Sequence, residues 1–379
     1  MYRNLWSNAP KECHEFADYS FDRHFAKPIP SFVSRETFRD YILGRAKDSD
    51  IRRFIQFNTV VRRVEFDPHK ESFLVQTENL TTGKGRRENF DYVIVAVGHF
   101  SVPNIPYFEG IETFPGQVIH SHDFRDARQF VGRDILIIGG SLSAEDIALQ
   151  TFKFGAKSIT ISYRTKPMLF KWPSQIEEKP LLNRISRKTV HFSDGSASDY
   201  DSIVICTGYK HHFPFLEEDL RLVATNCLYP AQLYKGIFFN DQPRLMYLGM
   251  QNLVFSLSLF DAQAWYVRDV ILGRIEIPNK SEREIDMLAW KSREMLIEEK
   301  PESIDFQTAY VKNLVDATDY PFGESSLNKT AGIFKAWVID KQSSIIEFRD
   351  QPYVSAITGT KATTYSTPWV EAKEDSEFV

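Results

Sequence analysis

Residues Asp134–Gln150 read DILIIGGSLSAEDIALQ, a strand–turn–helix sequence suited to binding a phosphate. An apolar run is followed by a knot of small residues and then by a helix-forming sequence with two carboxylates near its start. Gly139 allows a tight turn, Ser141 and Ser143 are small enough for backbone amides to approach a pyrophosphate, and Ala144 lets the helix pack close against the strand. The helix N-terminus then faces the anion with unpaired N–H groups and the positive end of its dipole. On these residues alone the alternative is an ordinary strand–turn–helix with a small-residue elbow.

The next strand, Ser158–Tyr163, ends in Arg164–Thr165, where an NAD-binding unit would place an acidic residue on the ribose 2′-hydroxyl. Arginine pairs instead with a 2′-phosphate, so NADPH is the expected dinucleotide. The plainer reading of Arg164 is a solvated side chain at a strand end. Upstream, DYVIVAVGHF (Asp91–Phe100) is a β-branched run without polar interruption, as expected of a parallel strand buried on both faces, and it ends at Gly98. The pattern returns in DSIVICTGYKHH (Asp201–His212), which ends at Gly208. Both glycines are candidate cofactor contacts. The expectation is an α/β chain with two Rossmann-like dinucleotide-binding domains. Residues 103–210 form one, inserted into another built from 1–102 and 211–379.

A helix is expected through Phe38–Ile42, entered at Ser34 with Glu36 in its positive first turn. Strands are expected at Ile55–Phe66 and Ser72–Thr77, with the hairpin turn of NLTTGKGRREN following. Later elements are a strand at Leu245–Gly249, a helix at Asp261–Leu272 and another from Ser281, where Ser281 and Glu284 suit a capping box. The tail EAKEDSEFV is acidic.

The 379 residues, 42% hydrophobic with a formal charge of -5, suit two domains and make nucleic acid an unexpected partner. Cys13, Cys206 and Cys227 are too scattered for a disulfide framework, a zinc site or a dithiol redox pair, so no metal is expected and a disulfide-reductase reading fails. The first residues lack the charged-then-apolar order of a signal peptide. No run approaches the roughly 18 apolar residues of a membrane helix. The expected location is the cytoplasm.

Before the glycine loop, FPGQVIHSHDF sets Phe114, Gly116, His120 and Phe124 in the order F-x-G-x-x-x-H-x-x-x-F. Here the chain resembles the flavin-containing monooxygenases, whose identifying motif has this spacing just before the NADPH loop. Tryptophan in the last slot would point to the related Baeyer–Villiger enzymes. The resemblance runs to about residue 370 and is closest to the bacterial trimethylamine monooxygenase branch. It is carried by MYRNLWSN, AKPI, SAEDI, YRT, TGYKHHFPFL, YLGMQ, FDAQAWYVRDV, FRDQPY and TPW.

That resemblance implies FAD and NADPH as cofactors and dioxygen and a small amine or sulfide as reactants. The nitrogen or sulfur would be oxygenated through a C4a-hydroperoxyflavin, trimethylamine becoming its N-oxide. A homodimer is compatible with this reading; nucleic acid and membrane are not expected. The resemblance places Trp6, Ser7 and Asn8 beside the flavin, Asn8 as the residue nearest the chemistry, although a helix or turn cap is the plainer role for its amide. It sets Gln251 at the isoalloxazine edge. Trp337 and Trp369 would reach NADP⁺ or the pocket wall, with core packing as the plainer role. His120 would be a structural and hinge element.

The chain departs from the family in two places. No G-x-G-x-x-G turn for the FAD pyrophosphate precedes Tyr92, so Met1 reads as an internal start and the first FAD-binding βαβ segment as missing. Leu142 fills the slot between the loop serines, where the trimethylamine enzymes commonly have tyrosine. The other reading left open is a non-catalytic chain of the same fold that binds NADPH or a partner.

Overall fold

The computed structural model describes residues 1–224 and 226–373; of the acidic tail, 374–379 lie outside them. Its centre is a five-stranded, wholly parallel sheet. The strands lie in the order Gln117–His120, Ser202–Ile205, Asp134–Ile138, Ser158–Ser162, Ile176–Lys179. Alternation along Asp134–Ile138 explains why the run is apolar throughout. Ile135 and Ile137 pack with Ala144, Ile147 and Ala148 of the following helix, whereas Leu136 and Ile138 pack on the opposite face with Val190 and Phe192.

The helix Leu142–Lys153 begins where the sequence places it. Gly139 holds φ +136°, and a Cβ there would stand 2.3 Å from the Cys206 carbonyl oxygen, so the turn admits only glycine.

Two short strands, Val102–Pro103 and Tyr209–Lys210, pair antiparallel where the chain enters and leaves this unit. Outside it lie the antiparallel sheet Thr59–Asp67, Ser72–Asn79, Gly85–Phe90 and a four-stranded sheet in which Val93–Val95 pairs parallel with Leu245–Tyr247. Helices Leu257–Ile271, Lys280–Glu294, Lys300–Val315 and Glu324–Ser343 enclose the largest core, which also takes in Trp6 and Ala9 of the N-terminal loop.

The helix Arg35–Asp48 starts as expected, with Ser34 accepting from the Thr37 amide. Several expectations need correction. The 91–100 strand is only Val93–Val95 and lies at the edge of its sheet; Ile94 is 43% and Val97 60% exposed. An apolar run shows that burial is tolerated, not that neighbouring strands are present. The first β-strand starts at Thr59 rather than Ile55, because Phe57–Asn58 forms a turn with Asn58 at φ +54° just before it. The later helix starts at Lys280, and its capping box is Asn279 with Glu282 rather than Ser281 with Glu284. Asn279 stands outside the first turn, where its side chain reaches the Glu282 amide.

Candidate active site

Two cavities meet at one wall. The first, about 1570 Å³, runs along the carboxyl ends of the parallel strands, where ligands bind in open α/β sheets. Gly139, Ser141, Leu142, Ser143, Arg164, Thr165 and Gly208 all line it. The side chain of Ser141, at the N-cap, does not cap its own helix. The first-turn amides are therefore left for an anion. Arg164 is exposed at the strand end and makes no hydrogen bond or ion pair with any described residue, so its guanidinium is available to a phosphate. These features fit a dinucleotide. Ala144 is fully buried under the turn and serves packing rather than contact.

The second cavity, about 1000 Å³, is lined by Trp6, Ser7, Asn8, His14, Phe38 and Ile42 among others. It shares Phe100, Leu142, Ser143 and Tyr209 with the first. Asn8 does not cap a helix, since the adjacent 3₁₀ turn has Pro10 at its N-cap. Its amide has no partner among the described residues. Leu142 stands in the shared wall and gives it an aliphatic surface where a phenol would have offered a hydrogen bond.

The second cavity has the size and aromatic lining for a planar ring system such as isoalloxazine. For a second pyrophosphate the fit is weaker. Among the described residues only Gly139–Ser143 joins a parallel strand to a helix of eight or more residues through such a turn.

His14 was not singled out by sequence reasoning. Its Nδ1 lies 2.6 Å from Ser256 Oγ, and Ser256, the N-cap of Leu257–Ile271, leaves its own helix uncapped to make this contact. Burial lowers the His14 pKa to about 4, so the ring is neutral at pH 7. Only the isolated triplet Cys13-His14-Glu15 marks the residue in the sequence.

Other expected residues lie elsewhere. Gln251 is fully buried, donates to the Gly236 carbonyl at 2.8 Å and accepts from Gln263 at 3.1 Å. It lines neither cavity. Trp337 is buried in the helical core under the Lys341 ammonium, and Trp369 is buried between the Lys153 and Arg349 cations. Gly98 lies at φ +71° just before the shared Phe100 and lines neither cavity.

The F-x-G-x-x-x-H-x-x-x-F residues form a packed brace. A Cβ at Gly116 would stand 2.3 Å from the Asp201 carbonyl oxygen and 2.6 Å from the Phe114 ring. Phe124 stacks on Phe130, and His120 Nδ1 accepts from the His122 amide, which leaves Nε2 buried without a partner. Burial depresses the His120 pKa.

The two acidic residues of SAEDI face inward. Lys341 Nζ donates to Glu145 Oε2 at 2.5 Å and Arg349 Nη2 to Asp146 Oδ1 at 2.6 Å, all four side chains being buried.

The trimethylamine monooxygenase of Methylocella silvestris is 54% identical over 376 residues, spanning 99% of this chain and 83% of that protein. That of Pelagibacter ubique is 48% identical over 99% of this chain and 84% of its own length. The crystal structure of Tmm from Pelagibacter sp. strain HTCC7211 superposes with a TM-score of 0.96 at 45% identity, covering 100% of this chain and 86% of that one. S-allyl-L-cysteine S-oxygenase from Allium sativum follows at 0.79 and 26%, covering 93% and 81%. The flavin-binding monooxygenase-like family pattern matches residues 1–173 and 172–322. With the glycine cradle, the second cavity and these likenesses together, the chain belongs to the flavin-binding monooxygenase-like family.

Proposed function

We propose that this chain uses NADPH and FAD to place one oxygen atom of O₂ on the nitrogen of trimethylamine, or on a similar soft nitrogen or sulfur, in the cytoplasm. The balance is NADPH + H⁺ + O₂ + (CH₃)₃N → NADP⁺ + H₂O + (CH₃)₃NO. Residues 103–210 serve as the NADPH unit and 1–102 with 211–379 as the flavin part. The observation that carries the reading is the shared wall. A cradle suited to a dinucleotide opens at Leu142, Ser143, Phe100 and Tyr209 into a second chamber where the Asn8 amide has no other partner. Trimethylamine is the substrate in the names of the most similar relatives cited above.

When bound, the flavin supplies the electron path from NADPH to dioxygen. The protein's share is positioning and exclusion of water. The first-turn amides and Arg164 hold the two ends of the dinucleotide's charge. Trp6, Phe38, Ile42 and Leu43 give the second chamber an apolar lining that disfavours water beside a reactive oxygen. Asn8 can donate its amide to that oxygen. His14, neutral, adds a hydrogen-bonding group without a charge.

A non-catalytic, NADPH-binding reading is favoured by one observation, the single glycine cradle among the described residues. Titration with FAD separates the two. Saturable flavin binding with amine-dependent NADPH oxidation supports the oxygenase. NADPH binding without flavin binding supports the alternative.

A further inference from the structure

The helix that would receive the pyrophosphate carries two buried carboxylates in its first turns, Glu145 and Asp146. Left uncompensated, they would repel the anion that the helix N-terminus attracts. Each is met from a distant part of the chain, Glu145 by Lys341 and Asp146 by Arg349. Arg349 also reaches the loop that bears Asn8. While Nη2 holds Asp146, Nε donates to the Ser7 carbonyl oxygen at a long 3.4 Å, with the guanidinium stacked 4.4 Å over Trp369.

A second strut runs parallel to the first. Gln150, one turn further along the same helix, donates through Nε2 to the Asn4 carbonyl oxygen at 2.8 Å in a buried bond. The loop is fixed on its other side by backbone bonds from Ser7 to Val33 and from Arg35 to Leu5.

We propose that Arg349, with Gln150, is a positioning residue that ties the dinucleotide-binding helix to the Asn4–Asn8 loop, so that NADP(H) bound at one end rigidifies the loop presenting Asn8. The proposal rests on the NADPH reading above. A planar guanidinium can hold a carboxylate and a carbonyl at once; a lysine ammonium at this position keeps the charge but cannot span both.

Hydrogen exchange of the peptide covering residues 4–12, with and without NADP⁺, tests it without any turnover. In the wild-type chain NADP⁺ should slow exchange there by about fivefold or more. In Arg349→Lys, NADP⁺ should still bind within about threefold of wild type, while the slowing falls by at least half. A purely structural role would speed exchange equally in both states and leave their ratio unchanged; that unchanged ratio overturns the proposal. Should Arg349→Lys not fold, Gln150→Met carries the same comparison at Asn4–Trp6, with the same overturning result. Failure of the wild-type chain to bind NADP⁺ removes the NADPH reading and this inference together. Binding with no slowing at residues 4–12 removes the inference alone.

Discussion

Arg164→Ala separates an NADPH site from an NADH site. The guanidinium is exposed beside the glycine turn and has no described partner, so truncating it breaks no internal contact and creates no buried unpaired group. The whole effect should therefore fall on the ligand. A charged hydrogen bond of this kind contributes about 1.5–3 kcal/mol, a roughly 10- to 150-fold rise in the NADPH Kd, and water screening at an exposed position favours the lower end. NADH, with no 2′-phosphate, should bind the two proteins almost equally. The screening length falls from about 10 Å at 0.1 M to about 3 Å at 1 M salt, so the NADPH penalty should shrink as salt rises. Calorimetric titration of both cofactors against both proteins at two salt concentrations gives all of these numbers. Equal losses for NADPH and NADH, or a penalty indifferent to salt, would show that Arg164 does not hold a 2′-phosphate.

Three further outcomes follow from the same structure. Asn8→Ala should leave NADPH binding near normal but raise the hydrogen peroxide released per NADPH consumed, because the lost amide serves the oxygen rather than the dinucleotide; weakened binding with unchanged peroxide would assign Asn8 to the nicotinamide. Lys341→Met should destabilise the chain by about 3–5 kcal/mol by leaving Glu145 buried and unpaired, and Glu145→Gln in the same chain should restore most of that loss; thermal melts of the single and double variants measure both. Stability should also fall on acidification. Burial lowers the pKa of both His14 and His99 from 6.5 to about 4, with His211 adding to the shift at His99. Above pH 6.5 both states are neutral there. Between 6.5 and 4 the unfolded chain takes up protons that the folded chain refuses, at a cost on the order of 1–2 kcal/mol per histidine by pH 5. Melting temperatures from pH 7.5 to 5 check this, and His14→Gln should flatten part of the slope.

The glycine turn and its helix were legible because strand, elbow and helix are adjacent in sequence and each imposes a local requirement that only certain residues meet. Ser34 as a cap was legible for the same reason. The Arg164 position could be read because it falls one strand later in a repeating plan. Long-range pairing left no such trace. Glu145 and Lys341 are 196 positions apart, and nothing in SAEDI says that its carboxylates are buried and paired. Gln251 illustrates the converse. A polar residue in a family motif looks like a ligand contact, yet Gln263, Tyr310 and Gly236 enclose its amide. The run from Val93 to Val97 misled because hydrophobicity measures what a strand tolerates on its faces, while its place at a sheet edge depends on the other strands.

The function proposed above is oxygen transfer from O₂ to a small amine at the junction of the two cavities. The direct measurement supplies the purified chain with FAD, NADPH, trimethylamine and ¹⁸O₂, then follows NADPH absorbance and the mass of the product. Amine-dependent NADPH consumption and trimethylamine N-oxide carrying one ¹⁸O are the expected result. NADPH bound but not consumed in the presence of FAD and amine, or a product whose oxygen comes from water, would contradict it.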